Sequence, residues 1–315
     1  MNLEIMYTIN KLAEHKHVKS HAKAERLAFI DFKVRFEGSI NRSDISKEFG
    51  VSETISSKDI SLYRKLTGGT NLVPNRTNII QLDTYKPLID IKAHNALDML
   101  FEGFCRNRLE EQQSENYMRA CHPCDLNPDQ VSTVTRAIYQ KTRISIRYVS
   151  ANSNKRTERI LEPIGAYYDG LNWVFRALDI SSDSEKQIYK SFHFSRIIGV
   201  APLDKKSTAS IIKDTKWNAI VPMQLELHPE LSELEKEAYR KDFGMGESEN
   251  ELIVANSLVI SWSLIERWHI DTNIKPLPIN RFIFHLKNAQ TLRSIDGFNF
   301  LITDYDLVKR AAHTD

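Results

Sequence analysis

Phe49-Gly50-Val51-Ser52-Glu53-Thr54-Ile55-Ser56-Ser57-Lys58-Asp59-Ile60-Ser61-Leu62-Tyr63 reads as the turn and second helix of a helix-turn-helix. A short helix following Asn41-Arg42-Ser43-Asp44 carries Ile45 and Phe49 on one face. Gly50 supplies the positive φ that a tight interhelical turn needs, and Ser52 stands where the next helix requires a cap. Within that helix Ile55, Ile60 and Tyr63 are expected to point inward. Glu53, Thr54, Ser57, Lys58 and Ser61 then share the outward stripe. Small hydroxyls with one lysine let a helix approach base edges and phosphates closely. Ser52, Glu53, Thr54, Ser57, Lys58 and Ser61 are therefore candidate DNA contacts. The alternative is an ordinary helical hairpin with a solvated polar face.

The flanking sequence agrees with the first reading. Residues 66–70 break the helix, and residues 71–82 have the pattern of a two-stranded hairpin with residues 74–78 at its tip. A helix-turn-helix followed by a hairpin is a winged helix, and Arg76 at the tip is placed for a minor groove or a phosphate. Upstream, residues 24–36 carry Leu27, Ile30 and Val34 at helical spacing, widened by Phe29, Phe32 and Phe36, as a first helix covering the core.

A chain of 315 residues is long enough for two or three domains. The boundaries suggested are a DNA-binding domain over 1–90, a helical linker over 91–128, a sensing domain over 129–205 and a C-terminal domain over 206–315. No apolar run approaches the roughly 20 residues of a membrane span, and no signal peptide opens the chain. A cytoplasmic protein with no membrane partner is expected. The net charge of +2 conceals an asymmetry: residues 1–90 have 14 Lys+Arg against 11 Asp+Glu, residues 91–222 have 19 against 15, and residues 223–315 have 10 against 15. The basic two-thirds are compatible with a polyanion.

Three cysteines are too few for a disulfide scaffold. Cys121-His122-Pro123-Cys124 has the spacing of a redox pair or of half a zinc site, but there is no second such pair, and Cys105 is the other cysteine. A structural or inert pair is the simpler reading, with a redox- or zinc-dependent protein as the alternative from another class. No nucleophile with a neighbouring base, Gly-rich phosphate loop or metal-spaced carboxylate pair stands out, so neither catalysis, a metal nor a cofactor is expected.

Residues 95–117 read as a helix carrying Leu97, Leu100, Phe101, Phe104 and Leu109, and residues 129–141 as another with Val131, Val134 and Ile138 at core spacing. From Thr142 the period changes from helical to alternating. Strands are expected over 143–149, 159–168, 173–180 and 187–194, before Arg196-Ile197-Ile198-Gly199-Val200. Short strands behind a helix suggest a small barrel of SH3 or Sm type, for which single-stranded RNA is a third possible partner. Beyond residue 222, strands are expected over 223–228, 252–262, 281–286 and 298–303, with helices over 230–242 and 264–270. The fold class is α+β and multidomain: winged helix-turn-helix, central barrel, C-terminal α/β domain.

Ile146-Arg147-Tyr148, Arg159-Ile160-Leu161-Glu162-Pro163, Gly170-Leu171-Asn172-Trp173-Val174-Phe175 and Phe192-His193-Phe194-Ser195-Arg196-Ile197 together resemble a WYL domain. The naming Trp-Tyr-Leu triplet stands here as Trp173-Val174-Phe175, so the tryptophan alone is literal. With the winged helix, the chain is similar over 20–205 to bacterial WYL transcriptional regulators, and especially to repressors that accompany phage-defence loci. Residues 206–315 agree by position and length. The resemblance implies a homodimer on an inverted-repeat operator, dimerisation or control by the C-terminal domain, and a WYL domain sensing a nucleotide or oligonucleotide. Strand alternation is compatible with such a pocket, placing Arg176, Ser191 and His193 together, with Tyr148, Arg159 and Arg196 as expected neighbours. Guanidiniums beside an imidazole and a hydroxyl suit a phosphate, and Tyr148 is suited to base stacking. The alternative is a set of surface cations paired with Glu158, Glu162 or Asp179.

Overall fold

The computed structural model describes residues 6–73, 78–109, 124–150, 155–181, 188–295 and 298. Thr8 accepts a hydrogen bond from the Lys11 amide and opens α1 (Ile9–Glu14), a short helix with no strong sequence signal. α2 (His21–Glu37) carries the row of Leu27, Ile30, Val34 and the phenylalanines, all buried, and ends at Gly38 with φ 92°. An Asn41–Asp44 capping box starts α3 (Arg42–Phe49), and α4 (Glu53–Leu66) follows. Two further helices, α5 (Ala93–Glu102) and α6 (Pro128–Gln140), precede the strands β1 (Thr142–Ser150), β2 (Lys155–Tyr168), β3 (Trp173–Asp179), β4 (Ile188–His193) and β5 (Ile197–Lys206).

The chain forms two compact units, residues 1–167 with 171–209 and residues 168–170 with 210–315. In the first, one continuous apolar core runs from Ile9 through Tyr63 and Val134 to Ile197, spanning the helices and the sheet. The wing is minimal. Its arms pair through Val73 N–H to Ile79 O and Gln81 N–H to Asn71 O, and residues 38–40 pair with the return arm through Ile40 N–H to Asn78 O and Ile80 N–H to Gly38 O. The helix anticipated over 95–117 stops at Glu102, because Gly103 turns away with φ 102°; residues 110–117 lie outside those described.

The five-stranded sheet is antiparallel in its defined pairs and has the order β4-β3-β2-β1-β5. It does not close into the anticipated barrel. Strands β4 and β5 occupy the two edges and are joined by the 3₁₀ turn Phe194–Arg196 rather than by a ladder. Beyond β5, the Glu162 carboxylate receives the Thr208 and Ala209 amides, the Ser207 hydroxyl and Arg143 Nε, which fastens the exit of the sheet. These donors hold its pKa below the usual carboxylate value despite the cost of burial.

The second unit contains α7 (Thr215–Asn218), β6 (Ile220–Leu227), α8 (Glu233–Asp242), β7 (Glu251–Ser257), α9 (Leu258–Arg267), β8 (Ile270–Asp271), β9 (Phe284–Leu286) and α10 (Ala289–Leu292). Its sheet order is β7-β6-β9-β8. A strand over 252–262 was expected; it ends at Ser257, and α9 begins one residue later. Leu258, Ser261 and Ile265 are the residues this helix buries, a helical spacing hidden in a run apolar enough to read as strand. The expected strand over 298–303 lies outside the described residues except for Phe298, which is buried.

Asp31, fully buried on α2, organises the winged helix. Its Oδ1 accepts from Tyr63 of α4 at 2.7 Å and Tyr85 at 2.9 Å, and its Oδ2 from the Leu88 and Ile89 amides at 3.0 and 3.1 Å. Asn71 donates to the same Tyr63 oxygen and pairs twice with the Lys86 backbone. Desolvation raises the Asp31 pKa against these donors, and raises both tyrosines well above their ordinary values.

Replacing Asp31 with alanine strands two backbone amides in the core and should cost roughly 3–4 kcal/mol in urea unfolding, with Asp31→Asn milder because it keeps an acceptor. A carboxyl whose folded pKa is raised contributes most below its unfolded value and less as pH climbs through the folded one. The stability difference between wild type and Asp31→Asn should accordingly grow in favour of wild type as the pH falls from neutral toward 3.8, the unperturbed value.

Candidate nucleic-acid interface

Local sequence builds the turn into α4. Gly50 takes φ 64°, ψ 25°, and Ser52 Oγ accepts from the Ile55 amide at 3.4 Å. The inward side of α4 consists of Ser56, Asp59, Ile60 and Tyr63, at spacings of three, one and three. Ile55, expected inside, is 40% exposed. Its place is taken by Ser56, whose hydroxyl meets Ser46 Oγ at 3.1 Å and the Ser52 carbonyl at 3.2 Å, and by Asp59, bound by Arg26 Nε of α2 at 2.6 Å. Partnered polar groups can occupy the inner face while an isoleucine is left in solvent.

The outward side carries the anticipated candidates. Thr54, Lys58 and Ser61 are exposed, Ser57 is half-buried, and Ser52 and Glu53 stand exposed at the helix start. Glu53 lies 3.8 Å from Arg42, a pairing exposed enough to contribute little. Lys65 continues the Thr54, Lys58, Ser61 stripe by one turn and was not anticipated. Its charge is the main reason the His17 imidazole sits below its ordinary pKa, with contributions from Lys16 and Lys19. A basic patch thus borders the end of the helix, assembled from residues more than forty positions apart. Arg64 was also missed: it donates to the carbonyls of Leu72 and Val73 and to Asn78 Oδ1, tying the wing to α4. Arg76 lies outside the described residues.

In the sheet, the six residues grouped by sequence divide between the two faces of the β3–β4 ribbon. Arg176 stands opposite Ser191, with Nη1 3.2 Å from its hydroxyl, which Tyr167 also reaches at 3.0 Å; His193 lies two residues along on the same side. Tyr148 and Arg159 belong to the other side. Tyr148 packs edge-on against Phe192, its hydroxyl accepts from the His193 amide at 2.9 Å, and Arg196 hydrogen-bonds to it. Tyr148 is 4% exposed, so it is a core residue rather than an open stacking platform. Arg159 lies over the Phe192 ring and pairs with Asp179 at 2.5 Å; Lys190 reaches the same carboxylate oxygen at 3.0 Å. Asp179 is largely buried, and its hydrogen bonds to Lys190 and Ser181 hold its pKa low against that burial.

The Cys121–Cys124 pair lies partly outside the described residues, and Cys124 itself is half-buried, with its carbonyl 2.8 Å from His94 Nε2. Among the described residues no group of three or more His, Cys, Asp or Glu side chains could hold a metal ion, and no helix is long and apolar enough to cross a membrane.

A helix-turn-helix with a wing, fused to a helix-led antiparallel sheet, defines a two-module protein that pairs a nucleic-acid-binding head with a small β domain. Residues 22–89 match the model for the BrxR transcriptional regulator winged helix-turn-helix domain, and residues 129–202 match the WYL domain model. The chain thus carries a BrxR-type winged helix domain followed by a WYL domain. It is similar to the DNA-binding transcriptional repressor CapW of Stenotrophomonas maltophilia, at 28% identity over 72% of this chain and 77% of that protein. CapW of Escherichia coli strain KTE188 is 25% identical over 74% of this chain and 79% of its own length, and CapW of Pseudomonas aeruginosa 25% identical over 75% and 79%. Among solved structures, proteasome accessory factor PafBC of Arthrobacter aurescens aligns at 16% identity and TM-score 0.25, over 65% of this chain and 38% of that one. A CRISPR Cas-related protein aligns at 12% identity and TM-score 0.29, over 93% and 84%.

Arg64 is one of the ties between α4 and the wing, beside the Asn71–Tyr63 hydrogen bond. Arg64→Ala should speed amide exchange at Val73 and Gln81 about tenfold, the equivalent of one net hydrogen bond, with the helices still protected. Unchanged exchange at both amides would show that the wing is held without it.

Proposed function

We propose that this chain is a DNA-binding transcriptional repressor that binds an inverted-repeat operator as a homodimer and is released by an anionic, nucleotide-like ligand at the WYL domain. The observation that carries the DNA reading is the outward side of α4. Thr54, Lys58, Ser61 and Lys65 form one exposed stripe with Ser57 beside it, on a helix whose rotation is fixed from behind by Asp59, Ile60 and Tyr63. Hydroxyls and lysines so presented fit a major groove, with Lys65 and the neighbouring Lys16 and Lys19 toward phosphate. The names of the CapW relatives support repression as the outcome. Such a regulator works in the cytoplasm. Arg76, outside the described residues, is the second proposed DNA contact.

One such head makes few base contacts, and pairing two heads on half-sites about one helical turn apart supplies the rest. The second unit is the proposed means of pairing. Footprinting upstream of the gene encoding this chain, followed by titration of that site, tests the proposal. Lys58→Ala and Ser57→Ala should each lose roughly 1–3 kcal/mol of specific binding, while Lys65→Ala should weaken all sequences alike and lower the salt slope by about one. A chain ended after Ala209 should be monomeric and lose most operator affinity. Wild-type affinity in both α4 variants, or tight operator binding by the monomer, would remove the corresponding part of the proposal.

For the effector, Arg176 with Ser191 and His193 on one side of the ribbon, and Arg196 beside Tyr148, are the proposed anion contacts. Arg159 and Lys190 already share Asp179, so they contribute by exchanging that carboxylate for a phosphate. A ligand loosens DNA only by its differential affinity for the two conformations, and DNA must weaken the ligand equally. Arg176→Ala combined with His193→Ala should leave operator binding near wild type and abolish release by mononucleotides or short oligonucleotides. Release should also diminish with added salt, because the attraction is largely screened coulombic. Equal release from the double variant would exclude the Arg176–His193 side of the ribbon.

A further inference from the structure

We infer a second ligand site in the first unit: an apolar cavity between α2, α5, α6 and β3 that takes a flat bicyclic aromatic molecule bearing one N–H donor. The cavity has a volume of about 280 Å³. Its walls are Phe36 at the end of α2, Leu97 and Leu100 of α5, Ile138 of α6 and Trp173 of β3. An apolar cavity of roughly 150 Å³ stays dry and holds benzene, so a space nearly twice that size suits two fused rings. Phe101 and Tyr139 border it and are 74% and 55% exposed, an aromatic rim that leaves the cavity open to solvent.

The polar groups of the lining set the class of ligand. Thr135 spends its hydroxyl hydrogen on the Phe36 carbonyl at 2.8 Å. Glu37 is the acidic residue of the lining; it is half-buried, burial raises its pKa, and Lys33 donates to one of its two carboxylate oxygens, Oε2. An acceptor next to aromatic walls selects a ring with a donor over a plain hydrocarbon or an anion. This chemistry is opposite to that of the cationic sheet residues, so the two sites would take different molecules. The cavity also lies where the last carbonyls of α2 are held by α6 side chains, so an occupant contacts both parts of that joint.

The test is titration of the full chain with indole and with 1-methylindole, followed through the Leu and Ile methyl signals in NMR spectra. Saturable shifts centred on Leu97, Leu100 and Ile138 are expected, with indole about tenfold tighter because its N–H donates to a carboxylate. Glu37→Leu should erase that preference, and Leu100→Trp should abolish binding by filling the space with its own indole ring. The absence of saturable shifts at these methyls, or equal affinity for the two compounds in the wild-type protein, overturns the assignment. Both readings come from the unsubstituted chain, so they decide the matter even where a variant fails to fold.

Discussion

The winged helix depends on one buried carboxylate. Moving Asp31 into the core is costly unless its lone pairs are met, and here two tyrosine hydroxyls and two backbone amides meet them. The donors come from α4, from Tyr85 and from the consecutive amides of residues 88 and 89, so satisfying Asp31 sets several positions at once. Tyr63 fixes the rotation of α4 about its own axis, and Leu88 and Ile89 fix the strand-like return after the wing. Apolar packing alone is non-directional and would tolerate a rotated helix. The direction of these hydrogen bonds therefore fixes which side of α4 faces outward.

The other end of α2 solves a different problem. A helix leaves its last carbonyls without internal partners, and those of residues 35, 36 and 37 accept from Arg136, Thr135 and Gln140 of α6. Arg35 in turn pairs with Asp129 at the start of α6. Burial lowers the Arg136 guanidinium to about 10, which leaves it charged at neutral pH. The helix leading into the sheet therefore caps the helix that backs α4. Moving α6 relative to α2 leaves buried carbonyls unpaired, so the two modules shift together or through a discrete rearrangement of these bonds.

Much of this was legible locally, and what was not legible is long-range. Gly50 and Ser52 announce the turn because their roles are set by their own backbone. The strands of the sheet announce themselves by alternation. Ile55 misled because hydropathy is a one-residue property, whereas the burial of Ser56 and Asp59 depends on Ser46 and Arg26, ten and thirty-three residues away. The β7–α9 boundary was hidden because Leu258 to Ile265 satisfies both periods until the fold chooses one. The candidate anion site was gathered from alternation along single strands. Alternation places Arg176 with Ser191 correctly, but it does not reveal that Arg159, paired across β1 with Ile146, falls on the Phe192 side.

Asp179 gives that arrangement a further meaning within the proposed effector reading. A nearly buried carboxylate sharing one oxygen between Arg159 and Lys190 acts as an internal anion, holding two flexible cations in place before any ligand arrives. An entering phosphate then meets oriented donors rather than solvated ones, which reduces the ordering cost of binding. It must also outcompete a carboxylate already in contact, which a singly charged ligand does poorly and a doubly charged phosphate or a short oligonucleotide does better. Discrimination by charge therefore follows from the resident acid as much as from the arginines, and Asp179→Asn should relax it. In titrations of the variant, simple carboxylates should gain affinity relative to nucleotides, whereas an unchanged ranking would show that Asp179 only supports the sheet.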